Sequence, residues 1–255
     1  MVKTCVTAKV IKQHPLSGDV LQLTVAVPEI AAVCRPGQFV HLRLTEAVDP
    51  LLRRPFSIAD CDAGQGTLTL IYRVVGRGTK LMAGLQAGDS LDCMGPLGNG
   101  FDLTCRRPLL VGGGMGLAPL LMLAKAFCAR PATMLMGGRN EQELFWPEIY
   151  AGVCPHIHIT TDDGSVGQRG YAVDLLPELL SKGDFDGIYA CGPHAMLKGV
   201  AAMAAQHGVA CQVSLEEYMA CGVGACLSCT CAAAGGKRHK VCTDGPVFRA
   251  EEVVW

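Results

Sequence analysis

Along the first hundred residues apolar and polar positions alternate in short runs. "VLQLTV" (20–25), "QFVHLRL" (38–44) and "TLTLIYRVV" (67–75) follow the two-residue period of half-buried strands or are rich in β-branched side chains. Glycine and proline punctuate them at "RPGQ" (35–38), "DAGQG" (62–66) and "GPLGNG" (95–100). Short strands at turn-marked intervals predict a small antiparallel β-barrel over residues 1–101.

After Phe101 the rhythm lengthens. "PLLVGGG" (108–114) is a short apolar run ending in glycines, and "LAPLLMLAKAFCA" (117–129) reads as a helix. "ATMLMGG" (132–138) reads as a strand, and "EQELFWPEIYA" (141–151) as a helix interrupted by Pro147. "HIHITTDDG" (156–164), "VDLLPELLSK" (173–182), "FDGIYACGP" (185–193) and "HAMLKGVAAMAAQHG" (194–208) continue the alternation. Strand–helix alternation predicts an α/β domain over 102–210, with helices on both faces of a parallel sheet. From 211 to 255 the regular pattern gives way to a cysteine-rich segment.

Composition narrows the function classes. Half of the 255 residues are apolar, enough for a full core, and the formal net charge of −1 argues against nucleic acid as a main partner. No run of 18 apolar residues predicts a membrane span. The opening "MVKTCVTAKVIKQHP" lacks the apolar core of a signal peptide, so the expectation is a cytoplasmic protein. In such a compartment the 14 cysteines stay reduced, and clustered thiols there point to metal rather than disulfides. Cys5, Cys34, Cys61, Cys93, Cys105, Cys128, Cys154, Cys191 and Cys211 are scattered and read as small apolar residues, Cys191 having a second reading.

The remaining five lie within "EEYMACGVGACLSCTCAAAGGKRHKVCTDGPVF" (216–248). Cys221, Cys226 and Cys229 have C-x4-C-x2-C spacing, and Cys242 follows at a distance; this is the ligand pattern of a plant-type 2Fe–2S cluster. Gly222 and Gly224 let the loop turn tightly and bring N–H groups towards the sulfurs. A zinc site usually pairs cysteines as C-x2–4-C twice, but here the second half has one cysteine. The spacing favours 2Fe–2S, with zinc or a disulfide as the alternative. Cys231 reads as a bystander.

"RRPFSIAD" (53–60) lies between two predicted strands. Its Arg54 offers a cationic fork suited to a diphosphate, Ser57 a hydroxyl, and the backbone near Phe56 suits the polar edge of a flavin. "IYRVVGRGTK" (71–80) adds Arg73, Thr79 and two glycines that expose N–H groups to a phosphate; its bland reading is a hairpin. "VGGGMGLAPL" (111–120) follows a strand and opens a helix, where a dinucleotide pyrophosphate meets a helix N-terminus. Leu117 stands where the third glycine of G-x-G-x-x-G belongs, so the ordinary Rossmann fingerprint is incomplete. "CGPHAM" (191–196) ends another strand at the same sheet edge; Cys191 there is either beside a nicotinamide or a plain strand end.

The order "RPFS", "GRGT", "GGGMG", "CGP" is similar to the ferredoxin–NADP reductase superfamily, and the tail "EEYMACGVGACLSCTC" narrows the resemblance. From about Pro36 onward the chain resembles the family of electron-transfer subunits of NAD-dependent (class 1B) dihydroorotate dehydrogenases. The resemblance implies that Arg54, Pro55, Phe56 and Ser57 hold FAD, with Ile71, Tyr72, Arg73, Gly78 and Thr79 continuing the contact. It implies that Gly112, Gly113, Gly114 and Gly116 with Cys191, Gly192 and Pro193 serve NAD, and that Cys221, Cys226, Cys229 and Cys242 hold the cluster. It also implies an FMN-containing catalytic subunit as partner, in a heterotetramer of two of each, with dihydroorotate oxidised on that subunit and pyrimidine biosynthesis as the setting.

Nicotinamide exchanges a hydride, an iron–sulfur cluster one electron, and a flavin both, which explains three centres on one chain. No Ser–His–Asp set or paired carboxylates mark an acid–base site, so no catalytic residue is expected on this chain. Two other readings fit the same residues: a self-sufficient or differently partnered NAD(P)H:acceptor reductase, and a zinc-stabilised nucleotide-binding module.

Overall fold

The computed structural model of the chain describes residues 3–45 and 47–255. The first half contains β1 (Thr4–Ser17), β2 (Val20–Ala26), α1 (Pro28–Ala31), β3 (Phe39–Arg43), β4 (Arg54–Ser57), β5 (Asp60–Asp62), β6 (Thr67–Arg73), α2 (Arg77–Ala83) and β7 (Ser90–Leu97). They form one seven-stranded sheet in the order β4–β3–β7–β1–β2–β6–β5, antiparallel throughout. Leu23, Val25, Val40, Leu42, Ile58, Leu68 and Leu70 are fully buried inside it, each such burial contributing about 1.5–3 kcal/mol.

The ladder of the expected barrel does not close on itself. The edge strands β4 and β5 are not paired with each other. Ile58 and Ala59, which join them, are not turn residues, so the chain runs on rather than folding back into a hairpin. Their amides instead donate to opposite sides of the sheet, Ile58 to the Gln38 carbonyl (3.0 Å) and Ala59 to the Thr69 carbonyl (2.9 Å). The covalent chain thus stitches the two edges of a curled sheet. The glycine-rich bend expected at 76–79 is the start of helix α2, whose N-cap is Gly76.

The second half contains β8 (Pro108–Gly113), α3 (Leu117–Ala126), β9 (Thr133–Gly138), α4 (Trp146–Tyr150), β10 (His156–Thr161), β11 (Gln168–Arg169), α5 (Ala172–Lys182), β12 (Gly187–Cys191), α6 (His194–His207) and β13 (Ala210–Ser214). A third segment adds β14 (Thr230–Ala233), β15 (Lys237–Lys240) and β16 (Val247–Arg249). The second sheet runs β11–β10–β9–β8–β12–β13–β16, parallel except for β16, which returns antiparallel to β13. Strand β8 is buried along its length, as a strand covered on both faces must be. Leu110 packs in the cluster with α3, whereas Leu109 and Val111 pack with α5 and α6.

The helix expected over 141–151 is shortened to α4. Asn140 Oδ1 accepts from the Glu143 amide (3.2 Å) and caps a separate single turn, and Pro147 occupies the first turn of α4, where its missing N–H costs nothing. The order of the parallel strands reverses direction between β8 and β12. The loops leaving these two strands therefore flank the crevice where open α/β sheets bind ligands.

Candidate functional site

The cysteine segment 215–246 is a loop and a small hairpin, β14–β15, between β13 and β16. Gly222 (φ 70°) and Gly224 (φ 85°) take left-handed conformations that turn the loop around Cys221. The amides of Val223 and Cys226 both donate to Cys221 Sγ at 3.4 Å. Cys226 Sγ lies 3.1 Å from Ser228 Oγ. That contact, with the Ser228 amide and the Cys221 thiol, draws the Cys226 thiol down to about 6. Burial and the neighbouring Cys229 thiol push Cys242 up to about 12.

Cys226 is thus a neighbour of Cys221, and Cys242 of Cys229, with Cys221 also acting on Cys242. Among the described residues no three His, Cys, Asp or Glu side chains converge on one ion position. Four cysteines on one segment, with the backbone N–H groups of Val223 and Cys226 aimed at Cys221 sulfur, fit an iron–sulfur centre. Cys231 lies outside this set, on β14 opposite His239.

A cavity of about 1080 Å³ begins at β4 and β6 and ends against the cysteine loop. Its walls include Arg54, Pro55, Phe56, Ser57, Ile71, Tyr72, Arg73 and Thr79 from the sequence-predicted set, together with Phe39, Pro119 and residues 214–220, Ser228 and Pro246. The neighbouring arginines divide their work. Arg53 is tied to Asp92 (2.5 and 3.0 Å), whereas Arg54 faces the cavity and donates to the Leu52 carbonyl (2.7 Å). Gly78 is not on the wall; a Cβ there would meet the Arg54 side chain at 3.4 Å, so its backbone supports that guanidinium. The Thr79 hydroxyl accepts from the amides of Val75 (2.9 Å) and Gly76 (3.0 Å) and fixes the loop before α2.

A second cavity of about 760 Å³ opens at the switch point between β8 and β12. Gly113, Gly114, Gly116, Gly192 and Pro193 line it, with Gly138, Arg139, Asp162, Tyr171 and the first turn of α6. Gly112 and Cys191 do not. Gly112 is buried within β8, and Cys191 is 1% exposed at the end of β12, where burial pushes its thiol up. Arg139 donates through Nε to Glu143 Oε1 (2.9 Å).

Arg73, Met115, Leu215, Glu216 and Glu217 line both cavities and form their common wall. Burial pushes the Glu216 carboxyl above the usual carboxylate range, although its surface opens onto the cavities. The sequence analysis singled out neither Glu216 nor Met115; "SLEE" directly before the cysteine loop was the available signal. It also passed over His41, which is fully buried on β3, with neither ring nitrogen hydrogen-bonded and its pKa pushed down to about 4 by burial.

An antiparallel sheet, a parallel nucleotide-type sheet and a C-terminal thiol loop, meeting at two adjoining cavities, define a ferredoxin-reductase-like flavin and iron–sulfur oxidoreductase. Family models agree: an oxidoreductase FAD-binding domain matches residues 7–101, an oxidoreductase NAD-binding domain 110–202, and the iron–sulfur cluster binding domain of dihydroorotate dehydrogenase B 216–254. The dihydroorotate dehydrogenase B (NAD(+)) electron transfer subunit of Bacillus caldolyticus is 43% identical over 96% of each chain, and that of Enterococcus faecalis strain V583 40% identical over the same shares. In a solved structure of the NADH-dependent reduced ferredoxin-NADP oxidoreductase, the matching chain superposes with a TM-score of 0.86 at 32% identity, covering 97% of this chain and 90% of that one. The chain belongs to the family of dihydroorotate dehydrogenase B electron transfer subunits, NAD-dependent oxidoreductases that carry FAD and an iron–sulfur cluster. Among the described residues no helix is long and apolar enough to cross a membrane.

Proposed function

We propose that this chain works beside an FMN-containing catalytic subunit that oxidises dihydroorotate, in a cytoplasmic heterotetramer of two of each, and passes the electrons to NAD+. The observation that carries this reading is the shared wall. One cavity ends against the cysteine loop, the other at the pyrophosphate-type turn after β8, and Arg73, Met115 and Glu216 separate them. When bound, FAD supplies the step between one-electron and hydride chemistry.

The chain's own residues hold and orient. Cys221, Cys226, Cys229 and Cys242 hold the 2Fe–2S cluster. Arg54, Pro55, Phe56, Ser57, Ile71, Tyr72 and Arg73 wall the flavin, and Gly78 and Thr79 brace the loop behind Arg54. Gly113, Gly114, Gly116, Gly192 and Pro193 let the dinucleotide approach the backbone, and Gly112 and Cys191 pack the strands beneath. Around the cysteines Tyr218 (92% exposed), Leu227 (59%) and Val223 (42%) present apolar surface to water, a composition suited to a partner's docking face. The fourteen free thiols fit a reducing compartment.

Co-expression with an FMN subunit tests the reading. The complex should reduce NAD+ with dihydroorotate, and the lone chain should not. Failure of the two chains to associate would defeat the partner assignment.

A further inference from the structure

Among the described residues, His41 is a buried polar side chain at the cysteine loop whose ring nitrogens are left unpaired. It lies on β3 between Pro55 of β4 and Met94 of β7. It is fully buried, and neither Nδ1 nor Nε2 has a hydrogen-bond partner. Such histidines are normally satisfied, because an orphan donor in an apolar interior is costly.

The surroundings show which way the ring is directed. A Cβ on Gly222 would stand 2.6 Å from His41 Nδ1, with Leu97 and Met94 the next neighbours, each at 3.3 Å. The ring thus forms the floor beneath the residue that follows Cys221, and the other floor atoms are apolar. The Arg53 guanidinium donates to the His41 carbonyl (3.4 Å), and the backbones of Arg53 and Cys221 approach the His41 ring. A neutral imidazole carries one N–H. The acceptors within its reach are the Arg53 backbone on one side and, on the other, the cysteine turn at Cys221 with whatever its sulfurs hold.

We propose that His41 is a positioning residue of the iron–sulfur site, its ring N–H donating a hydrogen bond from the flavin-binding sheet to sulfur at the Cys221 turn. This rests on the assignment of the cluster to Cys221, Cys226, Cys229 and Cys242. Hydrogen bonds to cluster sulfur raise the reduction potential, so His41 sets that potential as well as the height of the loop. Phe39, two residues earlier on the same face of β3, lines the flavin cavity. One strand therefore carries both the flavin wall and the support of the cluster loop. The arrangement also explains why position 222 is glycine, since any side chain there would displace the ring.

The test uses the full chain, prepared anaerobically, as wild type, His41→Leu and His41→Gln, with FAD and iron content measured alongside. Wild-type iron content checks the cluster assignment separately; without iron there, that assignment fails before His41 is at issue. With iron present, His41→Leu should lower the cluster midpoint potential and lose an exchangeable-proton coupling in the paramagnetic spectrum of the reduced protein. His41→Gln, which keeps an N–H donor, should restore both. An unchanged potential and coupling in His41→Leu overturns the proposal. If His41→Leu holds no cluster, His41→Gln decides: a cluster of near wild-type potential supports it, and loss or a lowered potential overturns it.

Discussion

A side chain at Gly116 would collide with the backbone of Cys191: its Cβ would stand 2.4 Å from the Cys191 carbonyl oxygen and 2.5 Å from the carbonyl carbon. This contact draws the turn after β8 against the end of β12 and shapes the floor of the nucleotide cavity. Gly116→Ala should push the two apart at a cost of about 1–3 kcal/mol. NAD+ affinity should fall about tenfold, with FAD and iron content unchanged. Titration of the purified variants with NAD+ checks this.

Asp162 points to discrimination against a 2′-phosphate. It lines the nucleotide cavity and not the adjoining one, and Arg139 on the same wall is engaged by Glu143. A phosphate there would meet a carboxylate rather than a free cation. Asp162→Asn should tighten NADP+ binding by about tenfold, on the order of 1.4 kcal/mol, and leave NAD+ nearly unaffected. Competition between the two nucleotides measures the ratio.

Cys231 is close in sequence to the ligands but faces His239 across the β14–β15 hairpin. Cys231→Ser should retain full iron content and lose under about 1 kcal/mol of stability. The same change at Cys229, which is buried beside Cys242, should abolish the cluster. Iron assays on the pair make the comparison.

Asp186 links the entry of β8 to β12. It accepts from the Cys105 thiol (2.7 Å) and from the amides of Arg106 and Arg107, and these bonds, the thiol foremost, hold its carboxyl down at about 2. A depressed carboxylate stabilises the fold above its unfolded pKa of about 3.9 and loses that contribution as pH falls towards 2. Asp186→Asn should therefore cost stability at neutral pH, at most about 1 kcal/mol because the group is exposed to solvent. The difference should shrink between about pH 4 and pH 2. Denaturant melts of both proteins across that range show it.

Much of the site was readable because its chemistry is local in sequence. "RPFS", "GGGMG" and the C-x4-C-x2-C run each occupy one turn or strand end, and the apolar runs at 108–114 and 132–138 carry enough β-branched or apolar character to mark β8 and β9. What escaped depends on contacts between distant segments. Strand β1 alternates buried Ala8 and Val10 with exposed lysines but also exposes Ile11, which blurs its period. The division of labour between Arg53 and Arg54 is decided by Asp92 on another strand. The return of β16 to the parallel sheet leaves no trace in a three-residue strand. His41 reads as an interior strand position in "QFVHLRL", and only folding brings Gly222 above it.

The central claim is that the four thiols of Cys221, Cys226, Cys229 and Cys242 hold a two-iron centre beside the flavin cavity. The most direct measurement is metal and sulfide analysis of anaerobically purified full-length chain, followed by paramagnetic resonance after dithionite. About two irons and two acid-labile sulfides per chain, with a signal on reduction that vanishes in Cys221→Ser, is the predicted result. Zinc in place of iron, or iron that gives no such signal, would contradict it.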